Sequence, residues 1–233
     1  MPTPTFTIPT VQLDRVALTS DWHIPYHNSY LVQRMLADLL TRGITNLVIA
    51  GDFIDFPTLS RFEPRDIHVT VAEELEKAKE VLTNLADSGF QVYWLRGNHE
   101  LRYFRSLRHQ VTMDNLVQAI GIDGTGWLHV YEGEELYVYS NGALWLVSHP
   151  QSYNAVPLTV ARKLQQKFGV NVATGHNHQH AYAYAPDGQH KLIELGGLFD
   201  PTKLAYLWRG GMSVLPMQQT GYWILDNGKL VMP

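Results

Sequence analysis

The chain has 233 residues, 45% hydrophobic and 17% charged, with a formal net charge of -4: enough apolar material for a sizeable core, and no overall attraction to nucleic acid or an anionic membrane. Cysteine is absent, which excludes disulfides and thiolate ligands and leaves imidazole, carboxylate and amide as metal donors. No run approaches the ~18 apolar residues of a membrane span and no secretory leader is visible, so the expected setting is the cytoplasm, with no membrane partner.

Residues 1–12 begin with crowded prolines and threonines and are expected to be an extended segment; residues 13–233 are expected to form a single domain. Val16-Ala17-Leu18 reads as a buried strand that runs into Asp21-x-His23. Asn28 or Ser29 caps a helix carrying Leu31, Val32, Met35, Leu36, Leu39 and Leu40, with Gly43 just past its end. The apolar run Leu47-Val48-Ile49-Ala50 leads into Gly51-Asp52-x-x-Asp55, where Gly51 lets the backbone turn sharply. Thr70 to Glu73 has the form of a capping box. The helix after it places Val71, Leu75, Ala78, Leu82 and Leu85 on one stripe, and Gly89 suits a left-handed end.

Val92-Tyr93-Trp94-Leu95 precedes Gly97-Asn98-His99-Glu100. A helix there would set Arg102, Arg105 and Arg108 in one basic stripe, either near the mouth of a site or as a solvated face. Asn141-Gly142 between Leu136-Tyr137-Val138-Tyr139 and Ala143 to Val147 signals a hairpin whose second strand ends at Ser148-His149. Leu158 to Phe168 reads as a third helix ended by Gly169, and Val170-Asn171-Val172-Ala173 leads to Gly175-His176-x-His178. Pro186-Asp187-Gly188 and Asp226-Asn227-Gly228 mark further turns. Alternating strands and helices imply an α/β fold with parallel pairing, and the hairpins imply a second, more antiparallel sheet packed on the first.

Five polar clusters thus follow five apolar runs. In open α/β sheets, ligands gather beyond the carboxyl ends of strands, so the clusters can converge on one crevice. Cleaving a phosphate ester needs an activated water, neutralised phosphoryl oxygens and a protonated leaving group, and two cations ~3.5–4 Å apart meet the first two needs. Asp21, His23, Asp52, Asn98, His149, His176 and His178 offer seven donors. If Asp52 bridges both ions, the set suffices for two. The donor mix suits two divalent ions, manganese first, with iron, zinc or nickel also compatible.

The ordered set Asp-x-His, Gly-Asp-x-x-Asp, Gly-Asn-His-Glu, Ser-His and Gly-His-x-His, spanning Asp21 to His178, resembles the calcineurin-like metallophosphoesterase superfamily, in the small form common in phages and bacteria. The resemblance implies a four-layer α-β-β-α sandwich, with a mixed sheet and a more antiparallel one, around a binuclear centre. It implies one metal on Asp21, His23, Asp52 and His178, and the other on Asp52, Asn98, His149 and His176. It further implies that a water activated by the two metals attacks phosphorus, that His99 is the general acid facing the leaving group, and that Asp55 orients it. A carboxylate beside His99 would favour its imidazolium form.

The alternative role for Asp55 is a cap of residues Pro57 to Ser60; Glu100 is expected to be a structural salt bridge or cap; His27 either touches substrate or lies on the surface. The phosphoprotein phosphatase branch continues Gly-Asp-x-x-Asp with Arg-Gly, whereas Phe56-Pro57 stand here. Phosphodiester or nucleotide substrates are therefore expected ahead of phosphomonoesters and phosphoproteins. Trp22, Tyr26, Phe53, Phe56 and Tyr153 flank the clusters, either as core or as stacking platforms for bases. A small DNA nuclease and a non-catalytic metal-binding interaction module are the alternatives. Segments 53–66 and 101–127 are the candidates for a lid, and Leu204, Tyr206, Leu207, Trp208 and Met212 for an interface.

Overall fold

The computed structural model describes residues 7–60, 69–204 and 218–233. Tyr206, Leu207, Trp208 and Met212, and residues 61–66 of the first lid candidate, lie outside the described residues. Among the described residues, no helix is long and apolar enough to cross a membrane.

In chain order the elements are β1 (Thr10–Gln12), β2 (Arg15–Thr19), α1 (Ser29–Thr41), β3 (Asn46–Ala50), α2 (Val71–Asp87), β4 (Gln91–Leu95), α3 (Asn98–Ser106), α4 (Met113–Ile120), β5 (Leu128–Tyr131), β6 (Glu135–Ser140), β7 (Ala143–Ser148), α5 (Thr159–Phe168), β8 (Asn171–Thr174), β9 (His180–Tyr184), β10 (Lys191–Leu195), β11 (Trp223–Asp226) and β12 (Lys229–Val231). They form two six-stranded sheets, ordered β12-β11-β2-β3-β4-β5 and β1-β6-β7-β8-β10-β9.

Side-chain alternation along the strands builds the layers. In the first sheet, Ala17, Leu47, Ile49, Val92 and Trp94 pack with Val32, Met35 and Leu39 of α1 and Ala78, Leu82 and Leu85 of α2. Their neighbours Val16, Leu18, Val48, Ala50 and Leu95 face the other way, onto Val138, Trp145, Val147, Ala173 and Ile193 of the second sheet. The far face of that sheet, with Leu146, Val172 and Leu192, is covered by Leu158 and Ala161 at α5. The result is the expected α-β-β-α sandwich. Its strands read as continuous apolar runs because both faces are covered.

Antiparallel pairing is shared equally between the sheets. β11 with β12 and with β2 are antiparallel in the first; β6 with β7 and β9 with β10 are antiparallel in the second; the remaining three pairings in each are parallel. The second sheet is therefore mixed like the first. The hairpin signal at Asn141-Gly142 was local to β6 and β7, while the parallel neighbours β8 and β1 arrive from distant segments.

Local chemistry sets most boundaries. Asn28, rather than Ser29, caps α1 by accepting from the Leu31 N–H at 3.1 Å. Thr70 and Glu73 form the reciprocal capping box of α2, with Glu73 Oε2 accepting from the Thr70 N–H at 2.7 Å. Asn141 and Gly142 both have positive φ, 39° and 86°, as a two-residue hairpin compatible with right-handed strand twist requires. The N-terminal segment does more than extend: residues Thr10 to Gln12 pair in parallel with Tyr137 to Tyr139.

Candidate metal centre

The carboxyl ends of β2, β3 and β4 in one sheet and of β7 and β8 in the other come together at one edge of the sandwich. The Asp21 N–H donates to Gly51 O at 3.1 Å, the Gly175 N–H to Ser148 O at 3.0 Å, and the Ser20 hydroxyl to Ala50 O at 2.7 Å. Immediately beyond those ends the backbone is left-handed at Asp21 (53°), His23 (52°), Asp52 (51°), His176 (74°) and His178 (54°). Non-glycine residues in this region cost about 1–2 kcal/mol each, and such strain gathers where a fold positions functional side chains. Gly51 behaves as expected, with φ 76°. Any Cβ there would sit 2.7 Å from the Gly97 Cα and from the His149 ring, so only glycine lets the strand ends approach this closely.

Glu100 is the cap, not a salt bridge. Its buried carboxylate accepts from the N–H groups of Gly97 (2.7 Å), Asp52 (3.0 Å), Phe53 (2.8 Å) and Ile54 (3.2 Å), tying the loop after β3 to the turn after β4. Burial and the Asp52 charge push its pKa up to about 7, against the pull of those N–H donors.

Two Asp/His groups lie within this frame, each with its donor atoms inside 4.8 Å of one another: Asp21, His23 and His178, and Asp52, His149 and His176. In the first, His23 Nε2 faces His178 Nε2 at 3.0 Å, and Asp21 Oδ1 lies 3.2 Å from His178 Nε2. Among the described residues that buried oxygen has no hydrogen-bond partner, while Oδ2 accepts from the His176 N–H at 2.9 Å. In the second, His149 Nε2 lies 3.2 Å from Asp52 Oδ2 and 3.0 Å from Asn98 Oδ1.

The opposite ring nitrogens explain why these edges turn inward. His23 Nδ1 donates to Asp55 Oδ1 (2.7 Å), His178 Nδ1 to Gln218 Oε1 (2.6 Å) and His149 Nδ1 to Ala50 O (2.7 Å). A proton committed at Nδ1 leaves the Nε2 lone pair for a cation, as in most histidine metal sites. Facing imidazole edges, an orphaned carboxylate oxygen and an all-nitrogen-and-oxygen donor set fit divalent cations.

The electrostatics agree. Burial opposes charge at every one of these groups, yet Asp52 and Asp21 raise His149 to about 10, and Asp21 with Asp55 raises His23 to about 9. Against the same burial, the histidines hold Asp21, Asp52 and Asp55 well below the usual carboxylate range. His176 goes the other way, down to about 4, through burial and the neighbouring His149. The buried carboxylates thus favour positive charge at this edge, as a cation site requires.

A third group, His23, Asp55 and His99, overlaps the first. Asp55 serves two rings: Oδ1 lies 2.7 Å from His23 Nδ1 and 3.0 Å from His99 Nδ1, and its carbonyl accepts from His99 Nδ1 at 2.7 Å. It makes no side-chain cap to the short 3-10 helix Pro57–Leu59. The expectation that a neighbouring carboxylate keeps His99 charged needs correcting: burial, Arg102 and His23 outweigh Asp52 and Asp55, and the net shift is downward.

Other expectations are also revised. α3 ends at Ser106 and Arg108 has φ 54°, so Arg102, Arg105 and Arg108 form no single helical stripe. Arg102 turns inward and Arg105 outward. His27 is buried, not on the surface, with Nε2 3.2 Å from the Ser29 hydroxyl. Trp22, Phe53 and Phe56 are core, and of the five flanking aromatics only Tyr153 is exposed. Gln218 and Asn177 were not assigned roles from sequence. Asn177, between the two histidines of Gly175-His176-x-His178, donates to Glu194 Oε1 at 2.8 Å and accepts from the Asn154 N–H at 3.2 Å. The only available signal was its place inside that motif.

The model of the calcineurin-like phosphoesterase family matches residues 14–180. Among solved structures, the chain resembles an archaeal phosphodiesterase (12% identity, TM-score 0.50, 94% of this chain and 99% of that one). It also resembles a hypothetical protein of Pyrococcus horikoshii OT3 (9% identity, TM-score 0.51, 79% and 77%), and a phosphoesterase from E. coli (18% identity, TM-score 0.48, 94% and 91%). At these identities the first two likenesses concern the fold. No curated protein matches the chain in sequence.

Proposed function

The chain belongs to the calcineurin-like phosphoesterase family, and we propose that it is a metal-dependent phosphoesterase acting on phosphodiester or nucleotide substrates ahead of monoesters. In this reading Asp21, His23, Asp52 and His178 hold one divalent cation, and Asp52, Asn98, His149 and His176 hold a second, with manganese the favoured metal. One observation carries it: two Asp/His groups lie side by side, with the Nε2 edges of His23, His178 and His149 turned inward and their Nδ1 atoms committed elsewhere. When bound, the two cations supply charge neutralisation at the phosphoryl group and an acidified water.

The remaining work falls to side chains. Asp55 holds His23 and His99 in fixed orientations through their Nδ1 atoms. That leaves His99 Nε2 as the atom that carries a proton to the leaving-group oxygen. Glu100 holds the Asp52 backbone against Gly97, so the shared carboxylate keeps its direction. The preference for diesters rests on Phe56, which is buried and stacked on Tyr103 at 5.2 Å, where an arginine would add positive charge for a doubly charged monoester.

The deciding experiment compares bis-p-nitrophenyl phosphate with p-nitrophenyl phosphate, using metal-free protein reconstituted with manganese. Manganese-dependent turnover that favours the diester is expected. His99→Ala should keep its metal and, on an ester with a poor leaving group, lose ~10²–10⁴-fold in rate. Faster hydrolysis of the monoester would reverse the substrate order, and the absence of metal-dependent turnover on either compound would refute the catalytic reading.

A further inference from the structure

α3 places Arg102 one turn after His99, on the same helical face. Its guanidinium spans two acceptors: Nη2 donates to His99 Nε2 at 2.8 Å and Nη1 to Asp55 O at 3.0 Å. Both acceptors are uncharged or neutral-ring atoms. Among the described residues Arg102 makes no ion pair, and the nearby buried Glu74 gives its Oε1 to the Phe56 N–H at 2.7 Å instead. A half-buried guanidinium without a carboxylate is a cation in want of an anion.

Guanidinium nitrogens donate and never accept. His99 Nε2 is therefore the acceptor in this arrangement, and while it holds the guanidinium it has no proton to give a leaving-group oxygen. The guanidinium leaves Nε2 if the arriving phosphoester offers it something better. A phosphoryl oxygen does so, since it brings the opposite charge and the bidentate geometry that suits a guanidinium.

We propose that Arg102 is a substrate-binding residue whose guanidinium leaves His99 Nε2 for a non-bridging phosphoryl oxygen when substrate is present. The proposal rests on the phosphoesterase reading above and adds the residue that anchors the phosphoryl group. Nothing in the sequence pattern distinguished Arg102 from Arg105 or Arg108; the two hydrogen bonds do.

The test uses inorganic phosphate as the probe, titrated calorimetrically into manganese-loaded wild type, Arg102→Gln and Arg102→Lys at matched metal content. Phosphate binding is expected to weaken about 10- to 100-fold in Arg102→Gln, the loss of one charged hydrogen-bonding group, and to recover in part in Arg102→Lys. In steady-state kinetics KM should rise in both variants, with the smaller rise in Arg102→Lys. Equal phosphate affinity in wild type and Arg102→Gln, or no phosphate binding by the wild type, overturns the proposal. If Arg102→Gln loses metal, the Arg102→Lys comparison decides by the same criterion. Arg102-dependent phosphate binding without turnover of any ester would uphold the anchor and sink the catalytic reading. Metal-dependent turnover with Arg102-independent phosphate binding would do the reverse.

Discussion

The two Asp/His groups use the same residue types but are supported differently. In the group of Asp21, His23 and His178, each imidazole is backed by a side chain: Asp55 behind His23 and Gln218 behind His178. In the group of Asp52, His149 and His176, the His149 ring is backed by the Ala50 carbonyl. The more exposed His176 ring makes edge contact with His149, at 5.2 Å between centroids. A carboxylate behind an imidazole raises its basicity and fixes its tautomer. The first group should therefore hold a cation more tightly than the second, although both end parallel strands in the same crevice. Support from behind, more than donor identity, separates them.

The largest effect should come from the residue common to both proposed sites. Asp52→Asn is expected to reduce bound manganese from two ions toward none and to abolish turnover, as read by metal analysis after gel filtration. Two ions retained at wild-type stoichiometry would break the idea that Asp52 joins the groups. A more selective change separates them. Asp55→Asn removes the carboxylate behind His23 and leaves His149 untouched, so the tighter manganese affinity should fall about 10- to 100-fold while the weaker one holds. Stepwise calorimetry or chelator competition reads both constants, and a fall in the weaker one alone would invert the assignment.

The smallest effect concerns pH. Glu74 lies behind the first group, holding the Phe56 N–H just after Asp55, and among the described residues its buried Oε2 has no partner. Burial, with Asp55 adding to it, pushes its pKa up to about 8. A carboxyl whose pKa is higher folded than unfolded contributes stability that is complete below its ordinary value near 4.5, and that is lost as pH rises through about 8. Glu74→Gln should remove this dependence, giving a higher Tm than wild type at pH 9 and a similar Tm at pH 5. Parallel melting curves at both pH values would show that Glu74 carries no such penalty.

Much of the framework was legible in the residue order. The capping box at Thr70, the helix stops at Gly43, Gly89 and Gly169, and the hairpin at Asn141-Gly142 are local signals whose meaning lies within one turn of chain. β5 and β10 carried weaker signals: their apolar content is modest and they pair with segments farther away in sequence, as β10 does with β8. Arg102, Arg105 and Arg108 show the limit from the other side. Their spacing suggested one stripe, but the helix ends at Ser106, and the choice of an inward direction for Arg102 depends on where His99 and Asp55 stand.

By itself, the sequence determined which residue types follow each buried run: carboxylates, an amide and histidines at Asp21-x-His23, Gly51-Asp52-x-x-Asp55, Gly97-Asn98-His99-Glu100, Ser148-His149 and Gly175-His176-x-His178. Those choices are encoded within a few residues of each strand end. Only the tertiary structure decided which nitrogen of each ring faces inward, that Asp55 serves His23 as well as His99, that Glu100 gathers four N–H groups, and that Gln218 stands behind His178. The physical reason is that a ring's orientation follows from its second hydrogen bond. That partner is supplied by sheet register and loop packing between segments as distant as residues 23 and 178, about which local sequence carries no instruction.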